Sequence, residues 1–308
     1  MDDVLVVGEA LVDIVVRPGA PTAEHPGGSP ANVALGLARL GRRADLLTRI
    51  GDDPRGRAVR MHLESSGVRL LPGSVTEGRT STATATLDAA GVAGYDFDLD
   101  WRVPIDVDLV TGPDPVACLH TGSIAAFLPP GGDAVLALVQ KAAGRTTVSY
   151  DPNARPRLMG DPVRARERVE TFVRHADVVK VSDEDLAWLA PGEDPMDVVT
   201  QWLDDGPAVV VVTRGGEGAS GLCRAGRVDV AAPAVDVVDT VGAGDSFMAG
   251  LLDHLAELDL LGPRRLNELR SIDTEALVGM LRHAARIAAV TCTRPGADSP
   301  TRADLTLS

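Results

Sequence analysis

Between Val238 and Phe247 the chain reads VDTVGAGDSF, which sets a carboxylate, Asp245, directly after three residues with almost no side chain. Gly242, Ala243 and Gly244 can close their N–H groups around an anionic oxygen, because little projects from their Cα atoms. A β-rich run, Val228–Val238, enters this bend, and a helical pattern leaves it through Leu258. The bend therefore lies at a helix start, where unpaired N–H groups and the helix dipole favour negative charge. Asp245 falls in the first turn, where the same dipole keeps a carboxylate ionised. A phosphate cradle beside an ionised base is what phosphoryl transfer to an alcohol requires: stabilisation of charge and a proton acceptor. A plain helix start after a glycine turn, with Asp245 as a first-turn acid, would show the same residues. A Walker loop is excluded, since GxxxxGK[ST] occurs nowhere in the sequence.

A second segment, Gly27–Ala34 (GGSPANVA), leads into a helical pattern over Val33–Leu40. Gly27 and Gly28 would let a ligand approach the backbone closely. Asn32 offers both a donor and an acceptor, which suits vicinal hydroxyls. The competing reading is Ser29 as N-cap with Pro30 at the first helical position.

Short aliphatic runs must position these segments: Val4–Val7, Ala44–Ile50, Val116–His120, Thr146–Tyr150, Val178–Val181 and Ala208–Thr213. Helical spacing fills the intervals at Pro30–Leu40, Arg55–Ser66, Asp133–Ala143, Val163–His175 and Asp185–Leu189. That alternation predicts an α/β fold: a doubly wound, mostly parallel sheet flanked by helices. Val12–Val16, Thr82–Asp88 and Val92–Asp98 break the rhythm and predict antiparallel strands outside the main sheet, a small β-lid formed from about residues 11–17 and 80–100. Pro18–Ser29 and Asp96–Pro115 are the longest stretches expected to be irregular. We expect residues 1–308 to form a single domain carrying that lid.

Composition narrows the partners. With 44% hydrophobic but 3% aromatic residues, the core must be aliphatic, as strands buried on both faces require. The net charge of −14 argues against nucleic acid and anionic membrane surfaces. Cys118, Cys223 and Cys292 are far apart in apolar stretches and show no metal-type spacing, so buried free thiols in a reducing cytoplasm are expected. The start, MDDVLVVGEALVDIVV, lacks a basic leader and reads as a first strand. No apolar run approaches the length of a membrane span.

Taken in order, GGSPANVA and DTVGAGDSF resemble the two signature regions of the ribokinase-like (PfkB-type) carbohydrate kinases. Gly51–Gly56 (GDDPRG), Asp151-Pro152-Asn153, Lys180–Asp185 (KVSDED), Thr213–Ala219 (TRGGEGA) and Thr293–Ala297 (TRPGA) fit between and after them, so the resemblance spans the chain. It implies an ATP-dependent sugar kinase using Mg²⁺, with K⁺ as a further candidate ion, with Asp245 as catalytic base and Gly242, Ala243 and Gly244 as the anion hole. Asp13, Gly28 and Asn32 match sugar ligands; Thr213, Gly215 and Gly218 match the loop over the nucleotide. His283 and Ala284 match the adenine pocket, and Asp239 and Thr240, with the Thr293–Ala297 loop, match a monovalent cation site. Where the family often carries Asn-x-x-Glu to organise Mg²⁺ and its waters, this chain has Ser182 and Asp185, so Asp185 is an indirect Mg²⁺ candidate acting through water.

His120–Ser123 (HTGS) and Asp151–Pro156 (DPNARP) resemble the fructokinase branch, which makes Asn153 and Arg155 substrate-side candidates and fructose the first-choice acceptor. Arg155 is open between a substrate or phosphate contact and a pairing with surface acids. Kinases of 2-keto-3-deoxygluconate, ribose or nucleosides remain alternatives, as does a non-catalytic regulator on the same fold. An NAD-dependent oxidoreductase would need GxGxxG after the first strand, where Gly8 is instead followed by Glu9-Ala10-Leu11. Family lids often pair, so a homodimer through the lid is expected.

Overall fold

The computed structural model describes residues 3–87, 93–105, 108–112 and 115–306. The first nine strands are β1 (Val4–Val7), β2 (Leu11–Val16), β3 (Ala23–Gly27), β4 (Ala44–Leu47), β5 (Ile50–Gly51), β6 (Arg69–Leu70), β7 (Val75–Thr76), β8 (Thr82–Leu87) and β9 (Ala93–Asp98). They are followed by β10 (Cys118–Gly122), β11 (Thr147–Asp151), β12 (Val178–Ser182), β13 (Val209–Thr213), β14 (Ala219–Cys223) and β15 (Gly226–Val230).

One nine-stranded sheet runs in the order β15-β14-β13-β12-β11-β10-β1-β4-β6. From β13 to β6 every pairing is parallel, while β14 and β15 close the sheet as antiparallel strands. The aliphatic runs explain this: along β13, Val209 and Val211 enter one hydrophobic core, and Val210 and Val212 enter the other. A strand apolar on both faces is buried only between two helix layers. One layer contains the helices Ser29–Arg39, Ala243–Glu257 and Thr274–Cys292; the other contains Gly131–Ala142, Pro162–Val173 and Pro195–Asp205. Gly250 lets the second and third of these helices pack tightly, since a Cβ there would fall 2.7 Å from the Cα of Ala284. Among the described residues, no helix is long and apolar enough to cross a membrane.

A separate four-stranded sheet has the order β3-β2-β8-β9. Its outer pairings are antiparallel, but β2 and β8 run parallel, in register from Val12↔Thr82 to Val16↔Thr86. This corrects the expectation of an all-antiparallel sheet: alternating side chains mark a strand but carry no information on the direction of its neighbour. Strand β3 lies in the segment expected to be irregular. Its Glu24-His25-Pro26 centre has no apolar alternation, and it is a strand because its backbone pairs with β2, placing His25 opposite Asp13. Asp88 and Val92, expected at the strand ends, lie outside the described residues. The β-rich run Val228–Val238 also ends early: β15 stops at Val230, and Val237 and Val238 are 61% and 63% exposed. As the edge strand β15 has no outer partner to extend along, and Pro233 offers no donor.

Candidate active site

Asp245 lies in the first turn of the helix Ala243–Glu257, whose N-cap, Gly242, adopts a left-handed conformation (φ 74°). A Cβ on Gly242 would also come within 2.5 Å of the Ala297 Cβ, so glycine is needed twice over. The bend is open: Gly244 is exposed, while the Asp245 side chain is buried and faces the cleft described below. Ser29 Oγ donates to Asp245 Oδ1 at 2.7 Å, and Asn32 Nδ2 donates to Oδ2 at 2.8 Å. Asn153 Nδ2 stands 3.5 Å from Oδ1. Both carboxylate oxygens are thus fixed by neutral donors, with no ion pair to Asp245 among the described residues. Such a carboxylate is held in place yet keeps lone pairs for a proton. Ala243 contributes less to the cradle than expected, since its N–H donates to the Thr240 carbonyl at 3.2 Å. Gly244 and Asp245 belong to the first turn, whose N–H groups have no partner within the helix.

Lys180, in the middle of β12, brings a buried ammonium to the same point. A Cβ on Gly244 would lie 3.4 Å from its Nζ. Nζ pairs with Asp151 Oδ2 at 3.0 Å, and both side chains are almost wholly inaccessible. Burial pushes the Asp151 carboxyl up to about 6, with Lys180 pulling it down. Burial also opposes the charge on Lys180, but Asp151, Asp185 and Asp245 together hold it above the usual lysine range. The helix start therefore has a fixed positive charge beside it, which a transferring phosphoryl group would meet.

On the other side of Asp245, Asp13 projects from β2 against Gly27, where a Cβ would fall 2.1 Å from Asp13 Oδ2. Gly28 (φ 108°) likewise approaches the Glu9 carbonyl, at 2.5 Å from a would-be Cβ. These two contacts explain the paired glycines. Burial raises the Asp13 carboxyl above its ordinary range, against the pull of Arg155 and His25. Glu9 is pushed up to about 7 by burial, although its own N–H, Ser123 and the Ala125 N–H (2.9 Å from Oε2) all favour its charge. Arg155 Nη1 donates to Asn153 Oδ1 at 2.6 Å and to the carbonyls of Asn153 and Ala154 at 3.0 Å. It thereby props Asn153 in a positive-φ turn (38°) facing Asp245.

From this point a cleft of about 740 Å³ extends along the carboxyl ends of β12 and β13. Thr213, Gly215 and Gly218 line it as expected, and so does Thr240. His283 and Ala284 do not. The cleft-facing residues of the helix Thr274–Cys292 are Ala285, Ala288, Ala289 and Cys292, whereas Ala284 packs on Gly250 and His283 Nε2 bonds Asp253 at 2.7 Å. Each helical residue turns about 100°, so a shift of one or two positions moves a side chain to another face. Cys292 is half-buried at the cleft, unlike the buried Cys118 and Cys223, which corrects the expectation of three buried thiols. Asp239 accepts from Val241 N at 3.1 Å and Gly296 N at 2.8 Å, tying the glycine bend to the Thr293–Ala297 loop. These donors hold its carboxyl below the ordinary range. Asp185 lines the cleft but accepts from Ala154 N at 3.0 Å and shares a capping box with Ser182.

The pfkB family carbohydrate kinase description matches residues 1–304. The chain belongs to the pfkB family of carbohydrate kinases. A fructokinase from Rhizobium leguminosarum bv. trifolii is 35% identical over 280 residues, covering 89% of this chain and 85% of that protein. The structure of a fructokinase with bound ATP from Xylella fastidiosa is similar with a TM-score of 0.84 at 26% identity, over 99% of this chain and 97% of the other. A fructokinase double mutant from Vibrio cholerae O395, in a form with fructose, ADP and potassium ion bound, gives a TM-score of 0.80 at 27% identity, over 100% and 98% of the two chains.

Several functional-site residues of this pfkB kinase escape a reading by motif. Ser29 is no N-cap: the cap is Gly28, and the Ser29 hydroxyl is directed at Asp245 instead. Lys180 and Asp151 appear in quoted motifs without a role, though a lone lysine inside an apolar strand was a usable signal. Glu9 lies between two aliphatic stretches and carries no local signature.

Proposed function

We propose that this carbohydrate kinase transfers the γ-phosphate of ATP to the 6-hydroxyl of fructose, with Asp245 as general base. The observation that carries the reading is Asp245 itself: a buried carboxylate held by Ser29 and Asn32 at a helix start, opening on a long cleft. The fructokinase relatives support the acceptor, and the ATP- and ADP-bound neighbours support the donor.

Fructose would lie between Asp13, Gly28, Asn32 and Asn153, under the four-stranded sheet acting as a lid. The triphosphate would run from the Gly242–Gly244 bend past Thr213, Gly215 and Gly218. Ala285, Ala288, Ala289, Val235 and Val237 line the same cleft, an apolar surface on which a purine would lie. Asp245 accepts the hydroxyl proton as the sugar oxygen attacks the γ-phosphorus. Lys180 and the first-turn amides meet the charge that develops on the phosphoryl oxygens. The cleft's acids fit Mg²⁺: Asp185, through water, would help hold an ion that neutralises the phosphates. Asp239 and Thr240 would hold a monovalent cation, whose charge would steady the glycine bend; the Asp239 bonds to both flanking loops suit that role. The open edges at β3 and β9 give the lid reason to pair in a homodimer.

A coupled ADP-release assay across fructose, 2-keto-3-deoxygluconate, ribose, adenosine and inosine tests the proposal. Fructose should give the highest kcat/KM, with fructose 6-phosphate as product. Faster turnover of another acceptor would reassign the substrate, and no ADP release with any of them would remove the kinase reading.

A further inference from the structure

Nine residues beyond Asp245, about 13 Å along the same helix, a group of metal-capable side chains lies on the face away from the cleft. His254 and Glu257 come from the helix Ala243–Glu257, and His283 comes from the helix packed against it. One ligand atom from each of the three lies within 4.8 Å of the others. The two imidazole rings are 5.3 Å apart and tilted by 32°. His254 Nδ1 stands 3.3 Å from Glu257 Oε2, too long for a strong charge-assisted hydrogen bond. It is the right spacing for two ligands of one tetrahedral ion, whose donors at about 2.0–2.2 Å lie roughly 3.3–3.5 Å apart.

The surroundings are arranged as metal sites arrange them. Asp253, fully buried, accepts from His283 Nε2 at 2.7 Å, which fixes that ring and leaves Nδ1 with its lone pair. Arg42 and Arg302 hold Asp253 from the other side, each at 2.6 Å. Arg302 Nη1 takes Glu257 Oε1 at 2.6 Å, which directs Oε2 toward the histidines. His283 and Glu257 thus each have one atom tethered, and His254 Nδ1 faces the free Oε2 of Glu257.

We propose that His254, Glu257 and His283 bind a divalent transition metal of the zinc class, with Asp253 as the positioning residue. The ion clamps the helix that carries Asp245 to the helix that forms the nucleotide wall. It touches neither substrate, so its effect is on rigidity and thermal resistance.

The test uses the full chain freed of metal by a chelator and titrated with Zn²⁺ by calorimetry and with Co²⁺ by visible absorption. One ion per chain should bind, and the thermal midpoint should rise with Zn²⁺ concentration. Glu257→Gln, at an exposed position, and His254→Gln should each weaken Zn²⁺ affinity at least tenfold, with sugar phosphorylation retained by the metal-free protein. Cys292→Ser should leave Zn²⁺ affinity unchanged. The proposal fails if the wild-type chain binds no Zn²⁺, if both ligand variants bind as tightly as wild type, or if Cys292→Ser removes the binding.

Discussion

The two ends of the cleft are built on opposite principles. Around Asp245, side chains from three separate segments converge with defined partners: Ser29, Asn32, Asn153 and the Lys180–Asp151 pair. Elsewhere in the lining, Ala285, Ala288, Ala289, Val235 and Val237 present side chains without a polar atom. Proton and phosphoryl transfer depend on atoms held to within a fraction of an ångström, whereas an aromatic base needs a slot of the right width. Chemical identity should therefore govern one end and side-chain size the other.

Substitutions can break that contrast in order of severity. Asp245→Asn should lower kcat at least ~10²-fold with little change in ATP affinity, because general-base help is of that order or more. Lys180→Met should cut kcat and also destabilise the fold by about 3–5 kcal/mol, since it strands Asp151 in the interior. Adding Asp151→Asn should restore most of the stability but not the turnover, as chemical denaturation beside steady-state kinetics would reveal. Ala289→Leu addresses the other end: KM for ATP should rise about tenfold or more with kcat nearly preserved, the mark of lost ground-state binding. Equal losses in kcat would contradict the division of labour.

The smallest effect concerns Glu9, whose carboxyl is raised from 4.5 to about 7 by burial. A group raised on folding binds its proton more tightly in the native state, so its stabilisation is complete below pH 4.5 and is lost as the pH climbs through 7. Glu9→Gln removes this dependence. The difference in melting temperature between variant and wild type should shift in favour of the variant from pH 5 to pH 8. A constant difference would mean that Glu9 is ionised throughout.

The main sheet was legible because Val209–Val212 and its counterparts are aliphatic on both faces, a pattern few other environments tolerate. The Gly242–Asp245 turn was legible because its chemistry is contiguous. The rest depends on long-range placement. No spacing rule links Ser29 to Asp245 across 216 positions, or gives β2 and β8 their parallel pairing. The cleft-facing side of Thr274–Cys292 was misjudged by a residue or more, since its neighbouring alanines at 284, 285, 288 and 289 make its register ambiguous from sequence. Strand β3 could not be seen in Ala-Glu-His-Pro-Gly, which pairs only because β2 offers it an edge.

The most direct measurement is a single-turnover comparison of wild type and Asp245→Asn, with ATP affinity determined separately for each by calorimetry. With fructose and ATP saturating, the variant should bind ATP as wild type does while its phosphoryl-transfer step slows by at least ~10²-fold. A transfer rate within a few-fold of wild type would show that the sugar's proton goes elsewhere.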